Sequence, residues 1–253
     1  MKKAYFISDL HLGAAYLKDK RATEQRVVQF LDSIASDAAE LYLVGDILDY
    51  WYEYRHVVPQ GHVRFLGKLA QLADAGVRIT WFTGNHDVWL FHYLEREIGL
   101  TVLRGHTQLS IMGHEFLLSH GDDVGHPALL YRITRWCFYN PVCQWLYAAV
   151  HPRWTFPLAT AWSSSNRTSR HDEQVRAAQE RCAHDLTAFS RDYAAAHPQV
   201  EHFVYGHLHL ARHSELGEGR TVTFLGDWIS QFTYATFDGQ VMQLHHFHPE
   251  RQE

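Results

Sequence analysis

Ala4-Tyr5-Phe6-Ile7-Ser8-Asp9-Leu10-His11 is a short β-favouring run that turns polar at its end. Four more segments repeat the form. Leu41–Val44 runs into Gly45-Asp46, and Arg78–Thr83 into Gly84-Asn85-His86-Asp87. Glu115–Ser119 runs into His120-Gly121-Asp122, and Glu201–Tyr205 into Gly206-His207-Leu208-His209. In an open α/β sheet the carboxyl ends of strands gather side chains into one crevice, so five distant clusters can meet at one place. Their Asp, His and Asn side chains are hard to borderline ligands, suited to Mn, Fe or Zn rather than to a thiolate metal. The glycines before Asp46, Asn85 and His207 let the backbone turn sharply into such a site.

Outward from these clusters, helical stretches separate the first three runs. Thr23–Ala38 carries an apolar stripe of Val27, Val28, Phe30, Leu31 and Ile34, and His62–Ala75 ends at Gly76, a helix stop. Alternating strands and helices predict an α/β sheet that is at least partly parallel. Beyond Gly99, Leu100–Leu103, Gln108–Met112 and Glu115–Ser119 read as a strand and a hairpin turning at Gly113. Arg212–Phe247 reads as a second meander with turns at Gly217-Glu218-Gly219 and Asp238-Gly239. The fold class expected is α/β, a two-sheet mixed β-sandwich flanked by helices. Residues 1–123 and 197–253 form its core, and residues 124–196 form a helical insertion.

That insertion differs in composition. From Val124 to His171 there is no Asp, Glu or Lys, but there are five arginines, so the segment is +5 within a chain of net charge −5. It holds Trp136, Trp145, Trp154 and Trp162, half of the eight tryptophans. A polar break at Ser163-Ser164-Ser165-Asn166 precedes a charged helix from Asp172 to Ala196. Arginine interleaved with aromatics suits a membrane interface, and such a cap could hold acyl chains while its arginines hold phosphates.

The 253 residues allow one large domain or two small ones, and 46% hydrophobic with 20% charged residues is ordinary for a globular protein. Disordered and collagen-like classes are excluded. A pI near 6.5 gives no case for nucleic-acid binding. The N-terminus lacks a signal-peptide pattern and no run of 18 apolar residues occurs, so a cytoplasmic protein is expected. Cys137, Cys143 and Cys182 read as buried, reduced thiols.

The order Asp-x-His, Gly-Asp, Gly-Asn-His-Asp, His-Gly, Gly-His-x-His, spanning Asp9 to His209, resembles the calcineurin-like metallophosphoesterase superfamily. The resemblance implies the metallophosphoesterase fold and two divalent metal ions. Asp9, His11, Asp46 and His209 would hold one; Asp46, Asn85, His120 and His207 would hold the other, with Asp46 bridging. Two such ions clamp the oxygens of an in-line displacement and activate a water. His86 could donate to a phosphoryl oxygen or protonate a leaving group, and Asp87 either orients that ring or caps a helix starting near Val88. Asp49 and Asp122 read as supporting groups.

The cap position resembles that of the UDP-2,3-diacylglucosamine pyrophosphohydrolases of lipid A synthesis. Asn140-Pro141-Val142-Cys143-Gln144-Trp145-Leu146, His151-Pro152 and Gly45-Asp46-Ile47-Leu48-Asp49-Tyr50-Trp51 look like their Bacteroidetes-type members. This resemblance implies release of UMP and 2,3-diacylglucosamine 1-phosphate, manganese as the usual metal (iron or zinc also fit) and peripheral contact with the cytoplasmic face of the inner membrane. It implies a lipid-linked nucleotide sugar as partner and substrate contacts from Asn85, His86, Ser163, Arg167, Arg170 and His207. The chain departs from well-studied members in two places: His86 stands where they carry arginine, and Ala128 where they carry an acidic residue. The alternative is a broader phosphodiesterase or nucleotide pyrophosphatase whose cap only packs.

Overall fold

The computed structural model describes residues 2–125, 129–168 and 172–248, apart from the side chains at 160, 162–168 and 172. Two sheets stack face to face. The first has the order β11-β10-β1-β2-β3-β4, built from Met242–His246, Thr233–Phe237, Lys3–Ile7, Ala38–Val44, Arg78–Phe82 and Thr101–Leu103. Strands β1 to β4 are parallel, and β10 and β11 add antiparallel strands at the edge. The second has the order β5-β6-β7-β9-β8, from Thr107–Ile111, His114–Ser119, Val200–Tyr205, Arg220–Leu225 and Ala211–Gly217. Strands β6, β7 and β9 are parallel, with antiparallel neighbours at both edges.

The inner strands β1, β2 and β3 are mostly apolar and buried because both faces of their sheet are covered. Ala4 and Phe6 of β1 point between the sheets, where they meet Phe116, Leu118, Val204 and Phe237. Tyr5 and Ile7 point outward, beneath Val27, Phe30, Leu31 and Ile34 of α1 (Lys20–Ile34) and Phe65, Leu69 and Leu72 of α2 (Val63–Asp74). Each such buried aromatic or aliphatic side chain contributes about 1.5–3 kcal/mol relative to an exposed one.

Several boundaries differ from the sequence expectation. Helix α1 starts earlier, because Asp19 accepts from the Ala22 amide and caps it, and it ends at Ile34, so Ala38 already belongs to β2. No helix starts near Val88; α3 spans Tyr93–Ile98, its first turn held by Glu53, which accepts from the amides of Phe91, His92 and Tyr93. The C-terminal stretch is not one meander. The β8–β9 hairpin joins the second sheet and β10–β11 the first, so the chain crosses between layers at residues 226–232.

The insertion folds as α4 (Leu129–Tyr139), α5 (Pro141–Ala149), α6 (Pro152–Thr168) and α7 (Asp172–Ala196). Helix α6 continues through the serine run expected to break it, since serine in a helix costs only a few tenths of a kcal/mol, roughly. The second half of α7 buries Ala183, Leu186 and Ala194 against Phe203, Tyr205 and Phe224, so it flanks the core sheet although it lies inside the expected insertion. Cys137 and Cys143 are half-buried and Cys182 is exposed, contrary to the expectation of buried thiols.

Helices α4 to α6 are fastened to the core by aromatic groups. Tyr50, Tyr52 and Trp89 pack with Phe138, Tyr139 and Tyr147. Tyr52 donates to the Gln144 carbonyl (2.7 Å), Trp89 donates to the Phe138 carbonyl (3.0 Å), and the Tyr54 and Thr155 hydroxyls pair at 2.8 Å.

Candidate metal centre

The carboxyl ends of β1, β2, β3, β6 and β7 all open on one rim, and the five polar clusters meet there. Ligand atoms of Asp9, His11 and His209 lie within 4.8 Å of one another, and so do those of Asp46, His120 and His207. Asp46 Oδ2 stands between the halves, 3.3 Å from His120 Nε2 and 3.7 Å from His11 Nε2, the position a bridging carboxylate requires. Asp9, His11, Asp46 and His120 are buried.

Four buried atoms here have no hydrogen-bond partner: Asp9 Oδ1, His11 Nε2, His120 Nε2 and Asn85 Oδ1. Leaving such atoms unpaired costs about 1–3 kcal/mol each. The Asp9, His11 and His120 atoms belong to the two ligand groups above, so cations bound there would satisfy them together. The donor set of carboxylates, imidazoles and one amide oxygen fits a pair of divalent ions.

The other end of each ligand is occupied. His120 Nδ1 donates to the Val44 carbonyl (3.0 Å), which leaves Nε2 as the ligating nitrogen. His11 Nδ1 faces Asp49 Oδ1 at 3.3 Å, and His209 Nδ1 faces Asp227 Oδ2 at 3.4 Å. Asp9 Oδ2 accepts from the His207 amide (2.8 Å) and Asp46 Oδ1 from the His86 amide (2.9 Å), leaving each carboxylate one oxygen for metal. Burial alone would raise Asp227; the His209 ring and the amides of Ser230 and Gln231 hold it well below the usual carboxylate range.

The backbone is strained where the ligands sit. Asp9, His11, Asp46, His207 and His209 all have positive φ, between 45° and 67°. A non-glycine residue there costs about 1–2 kcal/mol, and such strain persists only where the surroundings over-determine it. Of the three glycines, only Gly45 has positive φ; Gly84 and Gly206 serve by close approach instead. A Cβ on Gly84 would lie 2.5 Å from the Asp46 amide nitrogen, and one on Gly206 2.8 Å from the Val44 carbonyl oxygen.

His86 and Asp87 divide differently from the sequence expectation. The Asp87 carboxylate accepts from the Gly84 and Ile47 amides (2.7 and 2.9 Å) and from the Trp81 indole (3.1 Å). It therefore shapes the loop rather than orienting His86 or capping a helix. The group that orients His86 is Asp49, whose Oδ1 and carbonyl oxygen lie 3.4 and 3.2 Å from Nδ1. His86 Nε2 is 4.0 Å from Asp46 Oδ2. Burial works against the charged ring, but Asp46 and Asp49 more than offset it and push His86 up to about 9. Asp122 receives hydrogen bonds from Tyr131 (2.8 Å) and Arg135 and ties α4 to the rim. Asp227 was missed at the sequence level; the signal was a strand running into Gly226-Asp227, the same form as Gly45-Asp46.

The chain matches known proteins over more than nine-tenths of its length. It is 40% identical over 256 residues to the UDP-2,3-diacylglucosamine hydrolase of Porphyromonas gingivalis, with 96% of each chain covered. The chain belongs to the UDP-2,3-diacylglucosamine hydrolase family. A protein of that name from Neisseria meningitidis serogroup B is 28% identical over 235 residues, 92% of each chain. The solved structure of Yfce, a phosphoesterase from E. coli, covers 95% of this chain and 90% of its own at 17% identity and a TM-score of 0.45. No family model matches.

For a member of the UDP-2,3-diacylglucosamine hydrolase family, the helices above the rim matter next. Ser163 and Arg167 lie on α6 with side chains outside the described residues, and Arg170 and Ala128 lie outside them altogether. Among described residues, the cap exposes Leu129, Leu130, Trp136, Trp145, Trp154 and Leu158, each at 61–75%. A cavity of about 800 Å³ opens between α4 and the β4–β5 connection, lined by Arg104, Asp123, Tyr131, Arg132, Arg135 and Trp136 among others. No helix among the described residues is long and apolar enough to cross a membrane.

Proposed function

We propose that this protein hydrolyses the pyrophosphate of UDP-2,3-diacylglucosamine to UMP and 2,3-diacylglucosamine 1-phosphate. The observation that carries the reading is the pair of adjoining ligand groups, with orphaned atoms on Asp9, His11 and His120, beside an exposed, apolar, arginine-bearing cap. A bound metal pair, manganese in our reading with iron or zinc as alternatives, supplies Lewis-acid stabilisation and an activated water. Asp9, His11, Asp46 and His209 hold one ion; Asp46, Asn85, His120 and His207 hold the other. His86, steadied by Asp49, donates a proton from Nε2 toward the phosphoryl or leaving-group oxygen.

The substrate has an anionic nucleotide end and an apolar end, and the surface beside the rim offers both chemistries. The arginines and aromatic rings of the α4 cavity suit phosphate and a flat base. The exposed face of α4 to α6 suits acyl chains and peripheral contact with the inner membrane from its cytoplasmic side. Ser163, Arg167 and Arg170 are assigned to the head group on the family resemblance. The test is a paired rate assay of the metal-loaded protein on UDP-2,3-diacylglucosamine in detergent and on bis-p-nitrophenyl phosphate. Strong preference for the lipid with UMP as product is expected. Turnover of the generic diester alone would leave a broader phosphodiesterase with a packing cap.

A further inference from the structure

The strands whose carboxyl ends carry His120 and His207 begin at the opposite end of the sandwich, roughly 20 Å away for six strand residues. His114 opens β6, and Glu201 and His202 fall in the first turns of the pleat of β7. Strict alternation would send Glu201 and His202 to opposite faces of the sheet. The register slips there instead: Glu115 pairs with Val200 and Phe116 with His202, so Glu201 is the extra residue of a bulge. A bulge re-aims side chains. Here one ligand atom from each of His114, Glu201 and His202 lies within 4.8 Å of the other two.

The three groups differ in how they are held. His114 Nδ1 and Glu201 Oε2 are hydrogen-bonded at 2.6 Å. His202 is buried against Phe116, ring centroids 4.5 Å apart, and its Nδ1 is taken by the Thr221 hydroxyl at 2.8 Å. That leaves Nε2 for a ligand. The side chains of His114 and Glu201 are 34% and 44% exposed, so the cluster has an entry from solvent and room for water in the remaining positions.

We propose that His114, Glu201 and His202 form a further divalent-cation site, separate from the catalytic rim, that takes zinc or a similar borderline transition metal. Two imidazoles and one carboxylate are a zinc donor set and a poor one for calcium or magnesium, which prefer all-oxygen shells. Tetrahedral ligands at about 2.0–2.1 Å from zinc stand about 3.3 Å from each other, so closure needs shifts of about 1 Å. The ion takes the place of the hydrogen bond between His114 and Glu201 and pins β6 to β7 at the bulge.

The test counts metal. The chain is stripped with chelator, reloaded with Zn²⁺, desalted and analysed for zinc per chain. Glu201→Gln, which is nearly isosteric, and His114→Ala are each expected to retain one zinc fewer than the parent, with hydrolysis of bis-p-nitrophenyl phosphate unchanged. The same decrement is expected when Glu201→Gln is added to Asp46→Asn, where the catalytic pair is already impaired. Equal zinc in the parent and either variant overturns the proposal and leaves a hydrogen-bonded ion pair.

Discussion

The rim around Asp46 and the cap above it spend their side chains in opposite ways. At the rim, Asp9, His11, Asp46 and His120 are withdrawn from water, each ligand has its spare atom tied down, and five ligands occupy strained backbone. Among the described residues of α4 to α6 many large apolar groups stand in the open, while Phe138, Tyr139, Tyr147 and Thr155 are turned to the core. The first arrangement sacrifices stability for pre-organisation of charge. The second leaves apolar surface waiting for an acyl or bilayer partner. Chemistry and recognition are thus separable in this molecule, and substitutions should separate them.

The largest effect is expected at Asp46, the one group between both halves of the site. Asp46→Asn should lower kcat on any phosphoester by on the order of 10³-fold, about 4 kcal/mol of barrier, together with retained metal. Full metal content at wild-type rate would break the contrast at its strongest point. Gly84→Ala comes next. Its Cβ would press on the Asp46 amide, so we expect about 1–3 kcal/mol of lost stability in thermal unfolding with impaired metal retention.

Asp227→Asn should leave the fold intact but weaken metal binding about 10–100-fold, because the His209 ring loses its anionic partner. Equilibrium competition with a chelator would measure it. On the other side of the comparison, Trp136→Ser with Trp154→Ser removes two exposed rings of the cap. An increase in KM of about tenfold, ~1.4 kcal/mol of binding, is expected on the acylated substrate only. An equal change on the small diester would mean that cap and rim are not separable.

The difference between the regions also explains what could be read in advance. Each rim ligand follows a strand, and a strand's end is visible in one dimension as β-favouring residues meeting Gly, Asp or His. Asp9, His11, Asp46, Asn85, His120, His207 and His209 could therefore be chosen from the sequence, and the ligand atoms of all but Asn85 gather in two groups. Partners were less legible, because a partner is chosen by three-dimensional neighbourhood. Asp87 stands next to His86 in the chain, yet the His86 ring turns to Asp49, 37 positions earlier. Asp227 reaches His209 only because the chain changes sheets after β9. Positive φ at the ligands left no mark in the sequence, since aspartate and histidine there look like any turn residue. In the cap, composition announced an apolar, cationic insertion. It could not show that Tyr50, Tyr52 and Trp89 would reach across to hold it, nor that α6 would run on through its serines.

The seam between the regions gives the smallest and most direct test. Arg135 pairs with Asp122 and, at 3.0 Å, with Asp123, while His106 Nε2 lies 2.9 Å from Asp123. Burial would raise the Asp123 carboxyl, but His106 and Arg135 hold it below the usual carboxylate value. A carboxylate lowered in the folded state adds stability above its unfolded pKa of about 3.9 and loses it as pH falls through the folded value. Asp123→Asn should therefore cost about 1 kcal/mol at pH 7 and progressively less as pH falls below about 4. Urea unfolding at the two pH values checks the sign. Limited proteolysis at pH 7 locates the effect: cleavage should rise within α4 to α6 while the small diester is still hydrolysed. If cleavage and diester hydrolysis change together, Asp123 supports the rim itself, and the seam lies further out on the cap than the Arg135 contacts place it.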